Sequence, residues 1–120
     1  MISVTVPESV TSIGNYAFAY CGSLTSIDIP DSVTTVGSYA FAYCSSATSI
    51  TIGEGVKTLN TGAFSDCTAI TIINFNAKEM SNLNSGTDAF ENVGTNGTNI
   101  IIGTSVTKIP AYLFHTSNRE

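Results

Sequence analysis

The chain has 120 residues, 42% hydrophobic and only 11% charged, which is enough apolar content to bury a continuous core. Four Lys and Arg against nine Asp and Glu leave a net charge of −5, which argues against nucleic acid and anionic membrane surfaces, since both need clustered basic residues. No segment approaches the run of about 20 apolar residues that spans a bilayer, so membrane insertion is not expected, and the first residues lack the pattern of a signal peptide.

In chain order, Val4 and Val6 flank Thr5 as a period-2 strand would. Pro7-Glu8-Ser9 follows as a turn, then Val10 and Ile13 point inward on a return leg. Asn15 reads as a helix N-cap, and Phe18 and Cys21 share one face of a short helix. The same order then repeats over Leu24–Ser46. Ile27 and Ile29 lie on one face of a strand with Asp28 on the other, and Pro30-Asp31-Ser32 makes the turn. Val33 and Val36 return, Gly37 permits a bend, Ser38 caps, and Ala40, Phe41 and Cys44 line a helical turn.

The third coil, Ala47–Ala69, has Gly53-Glu54-Gly55 in place of the Pro turn and Thr61 as its cap. Neither a G-x-G-x-x-G nor a Walker pattern accompanies that glycine pair, so no phosphate-binding cofactor site is expected. The fourth coil, 73–99, is irregular. Met80 and Leu83 serve its inward positions if the chain bulges before them and again around Asn84-Ser85-Gly86, with Thr87 as the cap. The fifth runs from Ile100 through the turn Gly103-Thr104-Ser105 to Pro110 and Phe114, and a polar tail from His115 closes the chain.

Columns of like residues tie these coils together. Val4, Ile27, Ile50 and Ile73 are spaced by 23 residues, and Ile100 follows 27 later. Ile13, Val36, Leu59, Leu83 and Ile109 form a second column, Phe18, Phe41, Phe64, Phe90 and Phe114 a third, and Cys21, Cys44 and Cys67 a fourth. A period in the twenties is the signature of a solenoid whose coils are unstable singly and bury a shared core by stacking. The expected architecture is an α/β solenoid of about five coils over residues 1–120, each with one short parallel strand and a short helix. The chain opens inside a repeat, which suggests a piece of a longer array.

The stretch LTSIDIPDSVTTVGSYAFAYCSS, with its strand, Pro turn, Ala-Phe pair and Cys at fixed spacing, resembles the BspA-like subgroup of leucine-rich repeat proteins. The match weakens where Val93 replaces the expected Cys and where the last coil stops soon after Phe114. The resemblance implies a cell-surface or secreted protein, often bacterial and host-associated, that takes part in adhesion and binds through its outward strand face.

Among candidate chemistries, the Cys column places parallel inward thiols in line, which suits neither tetrahedral metal binding nor a disulfide; reduced, buried thiols are expected. One His, His115, and no G-x-S-x-G elbow leave the many Ser residues without a general base, so no enzyme activity is expected. Glu8, Asp31 and Glu54 share one turn column and read as a solvated acidic edge. Two candidate binding surfaces remain. One is the strand face, with Thr5, Ser26, Asp28, Ser49, Thr51 and Asn74. The other is aromatic: Tyr16 with Tyr20 and Tyr39 with Tyr43, spaced as i,i+4 pairs, form either an exposed patch or packing between helices. A non-enzymatic module for a protein or glycan ligand, for instance host extracellular matrix, is the expected function. A structural spacer associating end to end is the alternative.

Overall fold

Alternating apolar and polar residues, as in Ser26-Ile27-Asp28-Ile29, favour extended backbone with one face inward. A computed structural model, which describes residues 6–83 and 86–114, contains seven such strands. They are β1 (Ser12–Ile13), β2 (Ser26–Ile29), β3 (Thr35–Val36), β4 (Ser49–Ile52), β5 (Thr58–Leu59), β6 (Ile72–Phe75) and β7 (Asn99–Ile102). All pairings are parallel, in two sheets ordered β2-β4-β6-β7 and β1-β3-β5. The register follows the sequence columns: Ile27 lies opposite Ile50, Ile50 opposite Ile73, and Ile73 opposite Ile100. The chain is therefore a parallel-strand solenoid. The return leg, expected only to point inward, forms a second hydrogen-bonded ladder.

The short helix expected in each coil does not form; no described residue is helical. In coil two, alternate N–H groups leave the segment altogether. Tyr39, Phe41 and Tyr43 donate to Thr61, Ala63 and Ser65 of the next coil at 2.8–2.9 Å, while Ala40 and Ala42 close turns onto Gly37 and Tyr39. Coils one and three repeat the arrangement. A helix would need those N–H groups for carbonyls four residues back, and in each of coils one to four two residues of this segment have positive φ, which ends a right-handed helix. The expected caps are reassigned in the same way. The Asn15 side chain accepts from the N–H of Ser38 in the next coil at 2.7 Å.

The core is built from the aligned columns. Phe18, Phe41, Phe64, Phe90 and Phe114 stack in sequence with centroids 5.1–5.7 Å apart, close to the strand spacing of about 4.8 Å. Cys44 and Cys67 are buried among them, and their thiols donate to the carbonyls of Phe18 and Phe41. A hydrogen bond with Cys44, together with burial, pushes the Cys67 thiol far above its ordinary value and keeps it protonated. Gly37 serves coil contact rather than a left-handed bend. A β-carbon there would meet the backbone of Gly14 and Asn15 at 2.6 Å.

Met80 and Leu83 of the fourth coil are buried. The bulge expected around Asn84-Ser85-Gly86 falls partly outside the described residues, as does the tail from His115. No strand of this coil extends the β1-β3-β5 ladder among the described residues. Among the described residues β7 pairs only with β6, and Ile100, Ile101 and Ile102 are 42–50% exposed.

Candidate functional site

The outward strand positions line up as two columns, Ser26, Ser49, Ile72 and Asn99, and Asp28, Thr51, Asn74 and Ile101. Thr5 lies outside the described residues. Much of the polar capacity here is spent locally: Ser26 Oγ donates to Asp28 at 3.2 Å and Asn74 Nδ2 to Thr51 Oγ1 at 3.3 Å. A shallow groove of about 360 Å³ at one end of this face takes in Asp28 and Thr51 together with Glu8 and Asp31. The acidic row itself is partly committed, since Asp31 accepts the Glu54 N–H at 2.8 Å and Glu54 pairs with Lys78 at 3.3 Å. Among the described residues no three His, Cys, Asp or Glu converge as metal ligands would.

The four tyrosines stand on the turn ladder, a different side of the coil from the strand face. Each has positive φ: 60° and 63° at Tyr16 and Tyr20, 56° and 61° at Tyr39 and Tyr43. A left-handed residue closes the turn and directs its side chain outward. The rings then stack across coils, Tyr16 on Tyr39 at 5.4 Å and Tyr20 on Tyr43 at 4.6 Å, nearly parallel in each pair. Tyr16, Tyr20 and Tyr43 are 60%, 70% and 44% exposed while Tyr39 is half-buried, so the rings pack between coils and also present an aromatic surface. Tyr112, which sequence reasoning passed over, takes the same left-handed position in the fifth coil, at φ 61°.

In the third and fourth coils these two positions hold Gly62 and Asp66, then Asp88 and Asn92, all with positive φ. Gly, Asp and Asn are the residues that tolerate such backbone. Their recurrence at the Tyr columns is the signal that could have identified a left-handed turn in place of a helix.

Where the tyrosines stop, a groove of about 350 Å³ opens between Tyr39 and Tyr43 on one side and Asp66, Asp88 and Glu91 on the other. The Tyr39 ring occupies the space a side chain at Gly62 would need. The Asp66 carboxylate lies close enough to the Tyr43 hydroxyl to raise its pKa, and Asn92 Nδ2 donates to Asp66 at 3.0 Å. Loss of hydration, then the Asp88 and Asp66 charges, hold the Glu91 carboxyl above its ordinary value. Ser65, in the floor, is 4% exposed and its Oγ has no hydrogen-bond partner.

Comparison with known proteins places residues 1–120 within the family described as BspA type leucine rich repeat region, in six copies. No curated protein and no solved structure matches the chain.

Proposed function

Since the chain belongs to the BspA type leucine rich repeat family, whose repeats generally serve as non-enzymatic protein-interaction modules, we propose that it binds a protein or glycan at a cell surface. The outward strand face and the Tyr ladder are the two contact surfaces, and the role is adhesion. Localisation and adhesion, host matrix included, rest on resemblance to the family.

The observation that carries the reading is the Tyr ladder. A left-handed residue other than Gly costs about 1–2 kcal/mol, whereas each stacked pair contributes about 0.5–1.5 kcal/mol. Two pairs therefore return no more than their four backbone positions cost. Stacking alone does not repay the strained backbone, and exposed aromatic area of this kind suits contact with a partner.

The test is binding of the purified chain to a panel of immobilised extracellular-matrix proteins and glycans. It is run beside a Tyr20→Asn, Tyr43→Asn double variant and an Asp28→Lys, Thr51→Lys double variant. Loss in the first locates binding at the ladder, and loss only in the second moves it to the strand face. Silence across the panel, with the fold intact by circular dichroism, sinks the adhesion reading.

The exposed β7 edge, with Ile100, Ile101 and Ile102 open to solvent, favours a second reading in which another coil stacks there and the module acts as a structural array. Solution mass that grows with concentration supports it, and a constant monomer mass rejects it.

A further inference from the structure

We propose that the groove between Tyr43 and the acidic cluster of the third and fourth coils is a receptor site for a single basic side chain, an arginine, on a protein partner. The inference rests on reading the chain as an interaction module and names the chemistry of one of its contacts. Three features of the groove converge on a cation.

First, charge. Asp66, Asp88 and Glu91 line the groove and no Lys or Arg does. They sit near enough to one another that Glu91 is held above its ordinary value by its neighbours as well as by burial. A cation between them relieves that repulsion.

Second, shape and surface. Tyr39 and Tyr43 stand along one wall, Tyr43 with its ring 44% exposed. An aromatic face beside carboxylates suits a planar guanidinium, which stacks on the ring while its N–H groups reach the oxygens. The volume of about 350 Å³ holds one long side chain and not a folded element.

Third, an unused acceptor. Ser65 is buried in the floor with no partner for its Oγ. It occupies the register of Ala19 and Ala42 in the earlier coils and of Glu91 in the next, so its side chain leaves the backbone on the same side as the Glu91 carboxyl. Alanine fills this position in the two Tyr coils without leaving a polar group unpaired. A guanidinium has five N–H donors and no acceptor, which complements the carboxylates of the rim and the hydroxyl oxygen of Ser65.

The test is a titration of the full chain, labelled with ¹⁵N, with a blocked Gly-Arg-Gly peptide and with its citrulline counterpart, which keeps the shape and removes the charge. Shift changes are expected to centre on residues 65, 66, 88 and 91. The citrulline peptide and an Asp66→Asn, Glu91→Gln variant should each bind about tenfold more weakly. Asparagine keeps the left-handed conformation at position 66, so that variant retains its fold. A Glu54→Gln, Glu79→Gln variant, which removes the same charge outside the groove, should bind within about twofold of the parent.

Equal weakening in both charge variants would mean general attraction to an acidic protein and would overturn the site. So would equal binding of the citrulline peptide. Shifts at the same residues caused by calcium or methyl glucoside but not by the arginine peptide would also overturn it, in favour of another occupant. Panel binding that persists while the arginine titration is silent removes this site and leaves the interaction module standing.

Discussion

A tyrosine at positive φ is a local conflict between side chain and backbone, and the third and fourth coils display its ordinary resolution, Gly62, Asp66, Asp88 and Asn92. Replacing Tyr43 by Asn therefore removes one stacked partner and relieves one strained backbone position. The expected change in unfolding free energy is within about 1 kcal/mol of zero, measured by urea denaturation; a loss well beyond that would make the ladder structural. The Cys67 thiol gives a pH-dependent term. Its native pKa is raised from 9.0, so the unfolded chain ionises first as pH rises. The stability is fully present below pH 9.0 and is lost progressively above it. A Cys67→Ala variant should lose less stability than the parent over the same alkaline rise, and parallel curves would exclude the thiol as the cause.

At the scale of the element, close approach of coils decides which residues are allowed. A β-carbon at Gly53 would lie 2.6 Å from the Pro30 carbonyl of the preceding coil, whereas at Gly14 it would meet nothing within 4 Å. Gly53→Ala is expected to cost about 1–3 kcal/mol and Gly14→Ala about 0.5 kcal/mol or less, read as the difference in thermal midpoint. Equal effects would mean that the coils part easily at the turn. The same proximity explains why the helix read from Ala40, Phe41 and Cys44 gave way. Those residues are buried as the pattern requires, but an inward pattern at i, i+1 and i+4 is met equally well by a turn ladder. The strand and the Pro turn were legible because alternation and Pro each allow few backbones.

For the molecule as a whole, stability runs along the stack, since each coil touches only its neighbours. Phe64 is fully buried between Phe41 and Phe90, while Phe18 is partly exposed. Phe64→Ala should cost about 3–5 kcal/mol and broaden or split the unfolding transition, and Phe18→Ala about half as much. Similar losses at both sites would argue against nearest-neighbour stacking.

The repeat, the inward columns through the fourth coil, the parallel pairing and the 27-residue step to β7 were determined by the sequence by itself, because spacing and residue type are enough to align one coil on the next; in the fifth coil the column members Ile100, Ile102 and Ile109 are exposed instead. The tertiary structure decided where the N–H groups of the Tyr segment bond, since a carbonyl 22 residues away competes with one four residues back only once the coils are stacked. It also decided the groove. Tyr43 and Asp66 share one left-handed column, but Glu91 stands outside it, and only the stacked coils bring its carboxyl to the same groove.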